Sequence, residues 1–368
     1  MKRKEKSYTF IKQFVSLCLL VALLGSCNDS IGVADDPKEF SEGIYILCEG
    51  LWRQDNSTVS HYDTQSSTIV NDVFGVNNPT LRLGDTGNDI LVFGKKCFVA
   101  MSTSKSIEIF SIGTTKSLGR IVFDGKIEPR SLTILNDTLG YVTTLGDDSV
   151  IEFNPFTNKK KNRIPVGPAP EGISHWKNLV FVANSGYGDF RSKEPLAGFV
   201  SVIDSKSNVV QKSFYVGPNL LTTMVDTISN TLLCFYAHLP SKTDSLSGIV
   251  QYSLPALEEL RRWRIPTARS ISLIDNTTLL FLTKTGVSTL DTRSSETKPF
   301  EIIQNSELKD IWTGVSKQII RNSPTIVISN SKNYSVNGSL LFYSTKGIFL
   351  KEVSVGLNPT KHIFYSTK

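Results

Sequence analysis

One four-strand pattern recurs along this chain and restricts the folds that the chain can adopt. Its clearest copy lies between two Pro-Gly turns and contains four short segments: Pro170–Trp176, Leu179–Ala183, Phe199–Asp204 and Val209–Val216. These segments are rich in Val, Ile, Phe and Tyr and are separated by turn residues, so each is predicted to be a β-strand. Four strands followed by the same turn signal are the sequence form of one blade of a β-propeller.

The pattern repeats at a regular interval. The turn that opens a unit occurs near Pro79, Pro129, Pro170, Pro218, Pro266, Asp310–Trp312 and Pro359. The first and last of these turns are 280 residues apart. Six steps therefore give a pitch of about 47 residues, which is within the range of propeller repeats. The sequence predicts an all-β, seven-bladed propeller with four antiparallel strands per blade.

The two ends of the chain are predicted to close the ring. Before Pro79 there are only three predicted strands, Gly43–Glu49, Thr58–Tyr62 and Ile69–Phe74, while one strand, Pro359–Tyr365, remains at the C-terminus. The extra C-terminal strand can supply the strand that the first blade lacks, so it is predicted to be the inner strand of that blade. Closure of this kind removes the exposed strand edges that an open array would have.

The N-terminus has the pattern of a targeting segment. Residues 1–26 begin with basic residues and continue into an apolar run, Phe14–Leu24, that is too short for a comfortable membrane span. The run ends in Leu24-Gly25-Ser26-Cys27, which resembles the lipobox of bacterial lipoproteins. This resemblance implies cleavage before Cys27 and lipidation of Cys27. A plain signal peptide or a short membrane anchor is the alternative.

These signals divide the chain into a signal peptide (1–26), a lipidated cysteine with an acidic tether (27–42) and one propeller domain (43–368). Asp29, Asp35 and Asp36 resemble the acidic segment that directs Bacteroidetes-type lipoproteins to the cell surface. The expected location is therefore the outer membrane, anchored by lipid only and exposed at the surface, with the periplasmic leaflet as the alternative. Residues 1–26 contain five basic residues and one acidic residue, so their removal lowers the net charge from +6 to +2. A charge of +2 gives no reason to expect nucleic-acid binding.

The sequence gives no pattern for catalysis. Cys48, Cys97 and Cys234 lie in apolar strand contexts and are expected to be small buried hydrophobic residues. The four histidines are isolated, and no spacing of Cys or His residues matches a zinc site. No GxSxG, P-loop or GxGxxG motif is present. The chain is therefore expected to be a binding protein without catalytic residues, metal or cofactor, and not an enzyme.

Candidate binding residues lie in the long loops between second and third strands. These loops are predicted at Glu49–Ser57, Asn184–Gly198, Ala237–Gly248 and Ser329–Gly338. The corresponding loops at Ser102–Ser106, Leu145–Ser149 and Lys284–Gly286 are short, and the other end of the ring is predicted to carry turns such as the NKKKN segment. Nine residues of the long loops combine aromatic rings with amide, imidazole or guanidinium groups: Trp52, Arg53, Asn56, Tyr187, Phe190, Arg191, His238, Asn333 and Tyr334. Such a set suits a large flat ligand with amide groups, or a protein partner.

Two short segments resemble a known family. Cys48-Glu49-Gly50, where Cys48 replaces the usual Asn, and His61-Tyr62-Asp63 are similar to the motifs at the start of YncE-like, YVTN-type propeller lipoproteins of Bacteroidetes. Some members of that group capture vitamin B12 and related corrinoids and pass them to a TonB-dependent outer-membrane transporter. The resemblance implies a corrinoid as a transported ligand and such a transporter as a partner. The alternative is an envelope propeller that binds proteins and has no small-molecule ligand.

Overall fold

The computed structural model describes residues 39–242, 246–265, 270–275, 277–294, 300–305 and 310–367. The predicted signal peptide, Cys27 and most of the acidic tether lie outside the described residues, as does the unit opening near Pro266. The described residues form seven four-stranded antiparallel sheets, so the predicted all-β propeller with seven blades is confirmed. No helix in these ranges is long and apolar enough to cross a membrane.

Blades 2 to 7 each contain four consecutive strands, and blade 1 combines the first three strands with the last strand of the chain. Their bounds are β1 Glu42–Cys48, β2 Thr58–Asp63, β3 Ile69–Val70, β4 Gly87–Phe93, β5 Lys96–Met101, β6 Ser106–Ser111, β7 Ser117–Val122, β8 Pro129–Asn136, β9 Leu139–Thr144, β10 Ser149–Asn154, β11 Lys159–Pro165, β12 Pro170–Trp176, β13 Leu179–Asn184, β14 Phe199–Asp204, β15 Val209–Tyr215, β16 Leu220–Asp226, β17 Thr231–Tyr236, β18 Ser247–Ser253, β19 Glu259–Ile265, β20 Ile271–Asp275, β21 Thr278–Leu282, β22 Gly286–Asp291, β23 Phe300–Gln304, β24 Trp312–Ile320, β25 Ser323–Asn330, β26 Asn337–Ser344, β27 Phe349–Leu357 and β28 Pro359–Ser366.

The C-terminal strand closes the ring as the sequence predicts. Blade 1 has the order β28-β1-β2-β3, and β28 pairs with β1 from Glu42 opposite Ser366 to Cys48 opposite Pro359. The ring of Tyr365 stacks on Tyr45, with centroids 4.3 Å apart and planes inclined by 6°. The first blade is therefore assembled from both ends of the described chain.

Apolar side chains between neighbouring blades form the core. The middle strands are buried along most of their length, because each packs against a blade on either side; all six residues of β17 are buried. This explains why the middle strands appear in the sequence as continuous apolar runs rather than as alternating patterns. The outer strand β11 is exposed at six of its seven positions, so its sequence is largely charged.

Two sequence predictions near the first blade are wrong in detail. Ile69–Phe74 is not one strand, because β3 ends at Val70 and a short helix, α1 (Val73–Asn77), follows with Asp72 as its N-cap. Blade 2 does not open at Pro79. Its inner strand begins at Gly87, because the side chain of Asn78 donates to Thr115 O at 2.8 Å and accepts from Ser117 N at 2.9 Å, which ties the preceding segment to the outer turn of blade 2.

Candidate functional site

Four long loops lie at one end of the ring. Consecutive strands of a blade are antiparallel, so the loop between its second and third strands lies at the same end as the connection to the next blade. We call this end the long-loop end. Its long loops in blades 1, 4 and 7 span residues 49–57, 185–198 and 331–336, and the loop of blade 5 follows Tyr236 and precedes Ser247, with residues 237–242 and 246 described. The loop of blade 7 is shorter than predicted, since β25 continues to Asn330 and β26 begins at Asn337.

The loop of blade 1 presents Trp52 to solvent. Its side chain is 66% exposed, and the Arg53 guanidinium lies 4.2 Å from the centroid of its ring, in a cation–π contact. The buried Asp85 carboxylate accepts from the backbone N–H groups of Arg53 at 3.1 Å and Asp55 at 2.8 Å. Burial alone would raise the pKa of Asp85, but these hydrogen bonds and one from Thr86 lower it. The Asp85 carboxylate, in the connection to blade 2, thus holds the loop that carries Trp52.

The loop of blade 4 carries a pair of exposed aromatic rings. The rings of Tyr187 and Phe190 have centroids 5.4 Å apart, and the two side chains are 50% and 84% exposed. Between them, the Asp189 carboxylate accepts from Ser241 N at 2.7 Å and from Ser241 Oγ at 2.5 Å. This contact joins the loops of blades 4 and 5 and fixes the position of the aromatic pair.

Arg191 and Asn56 make contacts within the protein. The Nη1 and Nη2 groups of Arg191 donate to the Asp148 carboxylate at 2.7 and 2.6 Å, and Glu194 accepts from Nε at 2.8 Å. Arg191 therefore ties the loop of blade 4 to the short loop of blade 3. Asn56 Oδ1 accepts from Leu51 N at 2.8 Å and closes the loop of blade 1 on itself. Both side chains hold the loops that present the aromatic residues.

The tie between Asp148 and Arg191 should make the loop of blade 4 sensitive to acid. Hydrogen bonds from Arg191 lower the pKa of Asp148. Its stabilising contribution is therefore complete above the unfolded pKa of about 4 and is lost as the pH falls through the lowered pKa. We expect amide exchange in residues 185–198, corrected for its intrinsic pH dependence, to accelerate only in that acidic range. Asp148→Asn should accelerate it at neutral pH; exchange as slow as in the unaltered protein would show that the pair does not hold the loop.

The remaining predicted residues lie in blades 5 and 7. His238 is half-buried, with its Nδ1 atom 3.4 Å from Ser247 Oγ. Tyr334 is 39% exposed, and Asn333 Oδ1 accepts from Ser335 N at 3.0 Å. All nine predicted residues thus lie at the long-loop end, while the large exposed rings are those of Trp52, Tyr187, Phe190 and Tyr334.

A cavity along the ring axis lies inside these loops. The seven inner strands, β4, β8, β12, β16, β20, β24 and β28, all contribute to its wall, and its volume is about 490 Å³. Gly172 and Gly314 allow neighbouring inner strands to approach, because a Cβ atom at either position would lie 2.7 or 2.8 Å from a backbone oxygen of the next strand. The inner strands begin at the long-loop end, so their first residues surround the mouth of the cavity there.

Charged residues line one side of this cavity. Arg130 donates from Nε and Nη2 to the Glu171 carboxylate at 2.9 and 3.2 Å, and from Nη1 to Asn88 Oδ1. Burial alone would lower the pKa of Arg130, but the electrostatic effects of Glu171, Glu49 and Tyr187 raise it. Glu49, in the loop of blade 1, contributes to this rise, so its carboxylate acts on the charged wall of the cavity.

These cavity residues were not among the site residues predicted from the sequence. Asn88, Arg130 and Glu171 each occupy the second position of an inner strand, directly after Gly87, Pro129 and Pro170. Lys361 occupies the third position of β28, after Pro359. A signal was present, because polar or charged residues recur just after the turn that opens a unit. These residues can be assigned to the cavity only when their strand is known to be the inner strand of its blade.

Cys48, Cys97, Cys234 and His362 are buried within the propeller. Cys48, Cys97 and Cys234 are free thiols in the core, as predicted, and burial raises the pKa of Cys48 to about 11. His362 lies between Ser316 and Ser329 with ring nitrogens 2.6 and 2.8 Å from their hydroxyl oxygens, and burial lowers its pKa to about 4. No group of three or more His, Cys, Asp or Glu side chains within the described ranges could hold a metal ion.

Comparison with known proteins gives a family and a fold. The profile of one family, described as Domain of unknown function (DUF5074), matches residues 42–227, half of the chain. No curated protein matches the sequence.

Solved structures resemble the whole propeller at low sequence identity. A functionally unknown protein from Desulfotomaculum acetoxidans is 12% identical, with a TM-score of 0.66 over 89% of this chain and 100% of its own. A quinonprotein alcohol dehydrogenase-like protein from Bacteroides thetaiotaomicron is 15% identical, with a TM-score of 0.64 over 89% and 79%. Virginiamycin B lyase from Staphylococcus aureus is 12% identical, with a TM-score of 0.55 over 73% and 83%. These likenesses show the propeller fold alone.

Proposed function

We propose a function for this chain, which belongs to the DUF5074 family: it is a lipid-anchored binding protein at the outer surface of the outer membrane. In this proposal it captures a corrinoid at the long-loop end of the propeller and delivers it to a TonB-dependent outer-membrane transporter. The protein performs no chemistry on the ligand, which is transported and is not a cofactor.

One observation carries the proposal. The exposed rings of Trp52 in blade 1 and of Tyr187 and Phe190 in blade 4 stand at the same end of a rigid ring. Aromatic faces supply large contact areas at low cost in conformational entropy, because each side chain has only two rotatable bonds. A broad flat macrocycle is a ligand that can contact rings on two sides of the ring axis at once. A ligand smaller than the cavity mouth would reach only one group.

Polar groups beside the rings suit the periphery of a corrinoid. The Arg53 guanidinium lies next to Trp52, and Asn333 lies next to Tyr334. Guanidinium and amide N–H groups donate to amide carbonyl oxygens, which surround the corrin ring. Preformed loops also favour binding, because the contacts of Asp85, Asp148 and Asp189 order them before the ligand arrives. The proposed ligand contacts therefore combine stacking at the centre with hydrogen bonds at the edge.

Retention on immobilised cobalamin tests the ligand. The purified full-length protein should bind the matrix and should elute with free cyanocobalamin. Matrix without corrinoid is the control. The rival function, a propeller that binds only proteins, predicts that the chain passes through both columns. Exposed apolar residues at the long-loop end, such as Leu51 and Val336, would also suit that rival.

Replacement of the proposed lipidated residue tests the location. Cys27→Ala removes the thiol that would carry the lipids, so the protein should move from the membrane fraction to the soluble fraction. Cys18→Ala, in the apolar run of the signal peptide, is the matched control and should leave the distribution unchanged. Equal membrane retention of the Cys27→Ala variant and the unaltered protein would contradict lipid anchoring. Protection from added protease on whole cells would place the protein at the periplasmic leaflet.

A further inference from the structure

The wall of the axial cavity is divided by charge. Its charged residues, Asp89, Arg130, Glu171 and Lys361, come from blades 1 to 4. The described part of the wall in blades 5 to 7 is uncharged and carries both apolar and hydroxyl side chains, including Met224, Phe235 and Ser272. The two sides therefore offer different surroundings to one guest molecule.

Protein donors already occupy the acidic groups of this wall. Both oxygens of Glu171 accept from Arg130, at 2.9 and 3.2 Å. Asp89 Oδ1 accepts from Lys361, while Asp89 Oδ2 accepts from Ser131 Oγ at 3.0 Å and from Leu132 N at 2.8 Å. A cationic guest would have to compete with these contacts for its acceptors.

The donors of the wall, in contrast, are only partly used. A guanidinium has five N–H groups, and Arg130 uses three of them on described residues. An ammonium has three, and Lys361 uses one, on Asp89. Arg130 and Lys361 therefore keep N–H groups that a guest in the cavity can use.

Arg130 and Lys361 belong to one polar array. Arg130 contacts Asn88, and Lys361 contacts Asp89, the next residue of the same inner strand. The two cations therefore approach β4 from the inner strands on its two sides, β8 and β28. Hydrogen bonds from cationic donors to anionic oxygens are the strong class of hydrogen bond.

We propose that the axial cavity binds an organic oxyanion, with its anionic oxygens on the Arg130–Lys361 side and its neutral body against blades 5 to 7. The Glu49 carboxylate, which accepts from Asn358 Nδ2 at 3.0 Å just before the inner strand β28, opposes a second negative charge. The favoured class is therefore a monoanion, a phosphodiester or a carboxylate. The volume of about 490 Å³ is within the usual range for a small-molecule site. This inference goes beyond the proposed function, because it does not require a corrinoid at the long-loop end.

Titration with dibutyl phosphate, a phosphodiester with apolar arms, tests the inference on the full-length protein. We expect saturable binding in the unaltered protein and weakening of about tenfold or more in the double variant Arg130→Gln/Glu171→Gln, because charged donors are lost from the site. The matched control is Arg163→Gln/Asp147→Asn, which neutralises an ion pair of 2.6 Å on the outer side of blade 3 and should leave binding unchanged. Tetrabutylammonium, a cation with similar arms, should not bind.

A second variant covers the case in which the double variant fails to fold. Lys361→Gln replaces the second charged donor by a neutral one, while Asp89 keeps its hydrogen bonds from Ser131 Oγ and Leu132 N, so this variant should weaken binding severalfold and still melt cooperatively. No binding of dibutyl phosphate to the unaltered protein would overturn the inference, as would equal loss in the control pair. Trp52→Ala should not change phosphodiester binding. Binding of cobalamin and binding of dibutyl phosphate are therefore measured independently, so the failure of one proposal can be distinguished from the failure of the other.

Discussion

Replacement of Trp52 or Tyr187 by alanine is expected to weaken corrinoid binding about thirtyfold in each case. A buried aromatic anchor of an interface contributes about 2 kcal/mol or more, which corresponds to that factor. Both rings are exposed in the absence of ligand and stand on loops that carboxylates hold in place. Their loss should therefore remove contact area and leave the ring intact. Calorimetric titration of each variant at matched thermal stability measures the effect.

The opposite end of the ring offers matched controls. Phe156 lies in the turn between the third and fourth strands of blade 3 and is 74% exposed. Phe156→Ala therefore removes a ring about as accessible as that of Trp52 from the end opposite the long-loop end. Lys159→Ala removes an exposed cation from the start of β11, where the NKKKN segment forms a strand rather than the predicted turn. Lys161 is less suitable, because it pairs with the buried Glu152 at 3.1 Å. If the control changes weaken binding and the aromatic changes do not, the ligand sits at the other end.

Removal of residues 359–368 should abolish the folded ring. The deletion takes away β28, the inner strand of blade 1, with its whole pairing to β1. It also removes the stacking of Tyr365 on Tyr45 and the hydrogen bond of 2.9 Å between Tyr365 Oη and His61 Nε2. An open edge would remain between the first and last blades. A protein of marginal stability, about 5–15 kcal/mol, cannot lose a central strand and keep a cooperative fold.

Circular dichroism and calorimetric melting would measure this loss. Deletion of residues 367 and 368 alone is the control and should leave a cooperative transition, because the hydrogen bonds that it removes among the described residues are those of Thr367 to Ser41 O. Tyr365→Phe should keep the stacking and lower the melting temperature only modestly. A ten-residue truncation that melts as cooperatively as the full chain would show that β28 is dispensable for closure.

Much of the fold could be predicted because the repeat constrains each unit independently. In blade 4 the predicted strands Pro170–Trp176 and Phe199–Asp204 have the observed bounds. The excess strand at the C-terminus was also sufficient to predict closure. The sequence was less informative between blades 1 and 2, where contacts of Asn78 with the outer turn of blade 2 override the proline signal. Such side-chain ties depend on tertiary structure and leave little trace in a local pattern.

The candidate site could be predicted only in part. Loop length and composition indicated the aromatic residues at the long-loop end, since loops on a rigid scaffold are not limited by strand patterning. The same criteria could not separate Trp52, which faces solvent, from Arg191, whose guanidinium is held by Asp148. They also could not reveal Arg130 and Lys361. Charged residues in a strand are normally expected to lie on the outside of the ring, and only the position of the strand in the ring shows that these two line the cavity.

Isothermal titration of the full-length protein with cyanocobalamin tests the central claim most directly. The proposed function predicts a saturable heat of binding at one ligand per chain, with an affinity in the micromolar range or tighter. It also predicts a rise in melting temperature with ligand concentration, because the ligand binds the folded state only. Absence of both heat and thermal shift at micromolar ligand would contradict corrinoid capture and favour a propeller that binds proteins.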